Sequence, residues 1–310
     1  MNRFALRDRT DSLDAVTQYE DIVRILTTQE FPWDITQALS FALFRTYAVP
    51  SIGVLLHETR EFNERTQKRY DDTVLVLDAI LEHGIASPVG HSAFRRMNQM
   101  HGAYAISNDD MRYVLSTFAV CPIRWVGEFG WRPFTSNEVE AWTHYYREMG
   151  RHMGIQDIPK THADFVAYLD GYEAKHFAFD ARGQAVADST LELLTTFPPS
   201  HLAPKKLVKL FARTLMEDAL LDAFHYPRPS ALTRKVFRSA LQLRGKFVRY
   251  ALPPREVPKF GRESVNLRTY PKGYVVEELG TFPKTCPVHH HRPAPAEDVA
   301  PASAQGAGGS

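Results

Sequence analysis

The chain has 310 residues, with 37 basic against 36 acidic side chains, 24% charged and 44% hydrophobic residues. That balance leaves no global field to gather nucleic acid or an acidic substrate, and the length suits one large domain or two small ones. Two cysteines, Cys121 and Cys286, are too few for a disulfide framework or a structural zinc site.

Taken in chain order, the opening MNRFALRDRTDSLDAV is charged throughout and has no apolar leader core. No run approaches the roughly 18 apolar residues of a membrane span, so a cytoplasmic location is expected. One pattern then repeats: a capping residue, an apolar helical period, and a closing Gly or Pro. TDSLDAVTQYEDIVRIL opens with a cap; WDITQALSFALFRTYAV ends before Pro50; VPSIGVLLHETREF follows. TQKRYDDTVLVLDAILEHG closes on Gly84, expected as a left-handed C′ glycine. Residues 88–105 form the next helix. Ser107 with Asp110, Thr135 with Glu138 and Thr161 with Asp164 are capping-box pairs at three further helix starts. DARGQAVADSTLELLTTF and KKLVKLFARTLMEDALLDAF complete the series. Alternating strands are nearly absent, so the expected fold is all-α, with one multi-helix domain over residues 10–250. From Leu252 the apolar period gives way to frequent proline, and residues 251–310 are expected to be a Pro-rich, largely irregular or disordered tail ending in PVHHHRPAPAEDVAPASAQGAGGS. Its His289–His291 run is expected to be incidental.

Three constellations carry chemistry. On the 88–105 helix, Phe94, Met97, Met100, His101 and Tyr104 share an apolar face. They suit a flat apolar cofactor and equally an ordinary core in which His101 needs one hydrogen-bond partner. Arg69 and Thr73, four apart in KRYDDTVLVL, face one way: over a cavity they polarise an oxygen species, while at a surface Arg69 simply pairs with Asp72 or a neighbour. His144, Glu148 and His152 are spaced four and four, either as ligands for non-haem iron or zinc or as a solvated face. Glu173 and His176 form one Glu-x-x-His pair with no second copy. Phosphate-cradling glycine loops, GxSxG and HExxH are absent, which disfavours nucleotide-dependent and hydrolase classes.

The segments RYDDT, RRMNQMHGAYAISNDDMRYVLSTF, PIRWVGEFGWRPFTSNEVEAW, YREMGRHMGIQDIP and YLDGYEAKHF, in this order, resemble the family that includes the fungal mycophenolic-acid-pathway oxygenases and the bacterial latex-clearing rubber oxygenases. The resemblance spans roughly residues 40–230 and is closer to the fungal type. It implies a globin-like helical core around haem b, with His101 as the iron ligand. Arg69 and Thr73 match the distal arginine and threonine, and Asn98, Tyr104, Arg95 and Arg96 would lie against the cofactor. The partners implied are dioxygen and an apolar, isoprenoid or unsaturated, small molecule cleaved at a carbon–carbon double bond. The chain departs from the rubber oxygenases at Asp72, where they have lysine, and at Asn98 and Ala105, where they have arginines; Arg95 and Arg96 are then the candidates for the haem propionates. KKLVKLFARTL and TRKVFRSALQLRGKFVRY are basic and amphipathic, either a peripheral contact with anionic lipid or a solvated face. A helical lipid- or prenyl-binding protein without chemistry, and a non-haem iron oxidoreductase built on His144, Glu148 and His152, are the alternative readings.

Overall fold

Side-chain caps set where several helices begin. Thr135 accepts a hydrogen bond from the Glu138 N–H while the Glu138 carboxylate returns one to the Thr135 N–H; Thr161 and Asp164 repeat the exchange. Ser87, Ser107 and Ser230 each accept from the third residue beyond, satisfying N–H groups that have no partner inside the helix. In a computed structural model, which describes residues 2–281, these and the other starts produce fourteen α-helices and no strand among the described residues. The fold is all-α. In order they are α1 (Ala5–Ser12), α2 (Tyr19–Ile25), α3 (Pro32–Tyr47), α4 (Pro50–Glu58), α5 (Glu61–Glu64), α6 (Thr66–His83) and α7 (Pro88–His101). Then follow α8 (Asn108–Phe129), α9 (Ser136–His152), α10 (His162–His176), α11 (Ala181–Leu194), α12 (Lys205–Leu215), α13 (Asp218–Ala223) and α14 (Ala231–Ala251). The His289–His291 run lies outside the described residues.

Helix α8 is the axis. Tyr113, Ala119 and Val120 on it are fully buried, and α3, α9, α10 and α14 pack around it. A second core cluster joins α3, α11 and α13 through Phe44, Tyr47, Val186 and Leu221. Between the two, α4 crosses α11 at Gly53 and Gly183. A methyl group on Gly53 would lie 2.5 Å from the Tyr47 carbonyl oxygen and 3.0 Å from the Gly183 Cα, so only glycine permits this approach. No single helix among the described residues is long and apolar enough to cross a membrane; α3 and α4 pass that test only together, bent by 97°.

Several expected boundaries move. Thr10 does not cap a helix: it lies in the last turn of α1, fully buried, and its hydroxyl donates to Glu138 at 2.7 Å. The helix expected over 88–105 stops at His101, because Ser107 must be extended to cap α8 and the chain turns at Gly102 to reach it. Gly84 has the positive φ expected of it, +90°, but a ψ of 153°, outside the left-handed helical region. Its chain exit is drawn off by Glu20, which accepts from the Ile85 N–H.

The segment after α14 is irregular, as expected, yet it is fastened. Lys259 N–H donates to the Thr28 carbonyl. Gly261 and Arg262 N–H groups donate to the Asp78 carboxylate, and Arg268 and Thr269 N–H groups to Asp71 Oδ2. Leu279 is fully buried. Residues 259–281 therefore lie as a strap along α6, held by acids that would otherwise be buried without partners.

Candidate functional site

The five residues RYDDT divide between two sides of α6. Asp71 and Asp72 turn to the strap: Asp72 accepts from Lys68 Nζ at 2.7 Å and from the Tyr270 hydroxyl. Arg69 and Thr73 turn the other way. Arg69 Nη1 donates to Thr73 Oγ1 at 2.9 Å, while the threonine hydroxyl donates to the Arg69 carbonyl at 2.8 Å. The guanidinium lies 5.5 Å from the centre of the buried Phe62 ring and has no carboxylate partner among the described residues. The expectation that a structural Arg69 would pair with Asp72 does not hold, since Lys68 takes that carboxylate.

His101 is the last residue of α7. Its Nδ1 is closed off from solvent and has no hydrogen-bond partner. A satisfied core histidine would have one. Burial, with a smaller contribution from the positive charge of Arg69, lowers the imidazole pKa to about 4. The ring is therefore neutral at pH 7, the form whose nitrogen lone pair binds a metal. That coupling places Arg69 and His101 within electrostatic reach of each other. Tyr47, fully buried at the end of α3, shares the region: burial pushes its phenol well above the usual range, and Arg69 acts against the shift. Tyr47 and Phe62 belong to no motif, and nothing in their spacing marks them.

The other expected cofactor contacts are placed differently. Arg96 is buried and spends its guanidinium on the strap, donating to the Leu279 carbonyl at 2.5 Å, to the Thr281 carbonyl at 2.7 Å and to Gln99. Arg95 is exposed and donates to Ser92. Asn98 donates to the His152 carbonyl at 2.8 Å, tying α7 to the end of α9. Tyr104 is half-buried beyond the helix end, its N–H donating to the His101 carbonyl. The structure thus joins Arg69 to Thr73, leaves His101 within electrostatic reach of Arg69, and gives Arg96 and Asn98 structural partners. A cavity of about 690 Å³ lies on the strap side of α6, lined by Arg65, Lys68, Tyr270 and Gly280 among others; His101, Arg69 and Thr73 do not line it. Gly280 nonetheless reaches the residue before His101, since a methyl group on it would collide with Met100 Sδ.

The alternative metal sets disperse. His144 lies tilted over Tyr19 at 4.7 Å and keeps its Nε2 3.6 Å from Glu148 Oε1, Glu148 also pairs with Arg151, and His152 stacks on Phe94 of α7 at 4.8 Å. Two of the three therefore stay together as an ion-pair cluster with Arg151, while His152 is drawn away to α7. No group of three or more potential ligands gathers among the described residues. Glu173 is instead the buried partner of Arg45, with Nε to Oε1 at 2.7 Å, and accepts from the Tyr113 hydroxyl at 3.1 Å; His176 stacks on Tyr172. Glu61 is buried against Arg65, and Glu58 is exposed near Arg182.

The WRPFT segment proves architectural. Arg132 holds Glu138 through two bonds of 2.7 and 2.8 Å and Glu30 through a third of 2.9 Å, all buried. Trp131 and Phe134 pack on Phe31, and Thr135 caps α9.

Residues 38–245 match the family described as ER-bound oxygenase mpaB/B'/Rubber oxygenase, catalytic domain. The chain is 32% identical over 244 residues to the ER-bound oxygenase mpaB' of Penicillium brevicompactum, covering 73% of this chain and 57% of that protein. It is 30% identical over 215 residues to the ER-bound oxygenase mpaB of Penicillium roqueforti (strain FM164), covering 64% of this chain and 72% of that protein. A second Penicillium brevicompactum protein, ER-bound oxygenase mpaB, is 28% identical over 244 residues, with 55% of its length covered. The chain thus spans little more than half of the two Penicillium brevicompactum proteins. It belongs to the family of the ER-bound oxygenases mpaB and mpaB' and the rubber oxygenases, and the matched region contains Arg69, Thr73 and His101.

Proposed function

We propose that the chain is a haem-dependent oxygenase that acts on an apolar, isoprenoid or otherwise unsaturated substrate and cleaves it oxidatively at a carbon–carbon double bond. The observation that carries this reading is a neutral imidazole nitrogen on His101 that has no hydrogen-bond partner, within electrostatic reach of an Arg69 that lacks a carboxylate, both among the described residues. A buried imidazole nitrogen without a partner is costly, and a ligand bound there relieves that cost.

The donor set fits haem b. His101 would hold the iron through a ring nitrogen, and haem supplies the activation of dioxygen when bound. The protein's own contribution is positional. Thr73 fixes the Arg69 guanidinium by accepting one of its N–H groups, so the cation is already oriented when negative charge develops on oxygen. The buried Phe62 ring, 5.5 Å from the guanidinium, shields one side of that cation from water. Burial keeps His101 unprotonated down to about pH 4, so protons do not compete for its lone pair at neutral pH. Arg95 is the exposed arginine near the site and the candidate for a propionate, because Arg96 serves the strap.

The test is the absorption spectrum of the chain purified from haem-supplemented cells. A strong Soret band in the wild type, lost in His101→Ala and kept in His152→Ala, is expected. Incubation with a farnesyl-chain substrate and dioxygen should then give carbonyl products, reduced in Arg69→Leu. A wild-type protein free of haem and iron would refute the reading and favour a helical prenyl- or lipid-binding protein.

A further inference from the structure

Helix α14 carries an unpartnered face. Leu232, Val236, Leu243, Phe247 and Tyr250 are 72%, 56%, 67%, 58% and 77% exposed. At about 100° per residue they fall within a sector about 60° wide, so they form one stripe along the whole helix. Leu241 and Gly245, on the opposite side, are buried; a methyl group on Gly245 would meet the Phe129 carbonyl oxygen at 2.6 Å, which seats the helix on the end of α8. The stripe therefore faces outward because the helix is docked by its other side.

The charges on α14 sort the same way. The helix has no acidic residue. Arg234, Arg238 and Arg244 are paired with Asp218, Glu128 and Asp34 of the surrounding helices. Lys235, Lys246 and Arg249 have no carboxylate partner among the described residues, and they line one flank of the stripe. Lys246, Arg249 and Tyr250 also border a recess of about 540 Å³ with Gly130, Trp131 and Glu128, whose carboxylate is neutralised by Arg238. The Trp131 indole N–H is buried there without an acceptor.

We propose that α14 docks on an anionic phospholipid surface, with the apolar stripe at the boundary of the acyl layer and a headgroup phosphate in the Lys246–Arg249 recess. A stripe of large side chains bordered by unpaired cations is complementary to such a surface. It is poorly complementary to a second copy of itself, which would bring like charges together. The surface is independent of any cofactor in the His101 region.

The test is sedimentation of the full chain with vesicles of phosphatidylcholine alone and of phosphatidylcholine with about 30% phosphatidylserine, an anionic fraction that sets the surface potential. Binding to the anionic vesicles only is expected. Lys246→Gln with Arg249→Gln should weaken it about 25-fold, from about fivefold per cation. Leu243→Ser with Phe247→Ser should weaken it at least tenfold. These side chains are exposed, so far-UV circular dichroism should be unchanged, as should the affinity of a control variant at the exposed Val265. Equal binding to neutral vesicles, absence of binding, or affinity unmoved by either double variant would overturn the proposal. So would a dimer, seen by light scattering, that the Leu243→Ser, Phe247→Ser variant dissociates.

Discussion

Replacing His101 with leucine isolates the proton chemistry of the site. An ordinary histidine titrates at 6.5, whereas burial, reinforced by Arg69, holds His101 at about 4 in the folded chain. Between those values the unfolded chain takes up a proton that the folded chain refuses, so stability falls as pH falls. The contribution is fully present above pH 6.5 and lost by about pH 4. At about 1.4 kcal/mol per unit, that gap sets a ceiling of about 3 kcal/mol; water still reaching part of the residue reduces it to about 1–2 kcal/mol. Leucine does not titrate and also removes the orphaned Nδ1, so at pH 7 the haem-free variant should be at least as stable as the wild type. Urea unfolding of both haem-free proteins at pH 7.0, 5.5 and 4.5 measures the difference directly. Curves that run parallel within about 0.5 kcal/mol, the scatter of ordinary surface substitutions, would show that the imidazole is not buried beside Arg69 as described.

Other perturbations probe the supports of the site. Asp71→Ala removes the acceptor of two backbone N–H groups and the Thr269 hydroxyl. It should cost about 2–4 kcal/mol and raise amide exchange selectively over residues 259–281; unchanged exchange there would contradict the strap. Gly53→Ala forces α4 away from the Tyr47 carbonyl and should lower the urea midpoint by an amount equivalent to about 1–3 kcal/mol. Glu173→Gln leaves the largely buried Arg45 with only the exposed Glu217 as charge partner and should cost about 3 kcal/mol, the low end for a broken buried pair, in the same assay.

Helix starts were legible because capping is local: Thr135 and Glu138 need only each other. Thr10 misled for the same reason, since its partner Glu138 is distant in sequence and no local rule points to it. The pairing of Arg69 with Thr73 followed from helical periodicity, but that Asp72 would be taken by Lys68 and the strap did not, because an acid can serve either side of a helix until the packing is known. Spacing alone left His101 open between a core residue and a ligand; the missing partner of Nδ1 favours the ligand, and only three dimensions reveal an absent hydrogen bond. The strap was read as a tail because it has no helical period: its order comes from backbone N–H groups meeting Asp71 and Asp78, an interaction that any sequence can make.

The strap also bears on how this domain is cut. The family match ends at residue 245, inside α14 and before the strap begins. A fragment trimmed to that boundary would strip the strap's bonding partners from the carboxylates of Asp71, Asp72 and Asp78 and from Arg96, and would uncover the surface that Leu279 covers on the two helices that carry Arg69 and His101. The shortest unit that keeps these groups satisfied should therefore extend through Thr281. Fusion partners and surface attachments belong beyond it rather than at the end of the matched region.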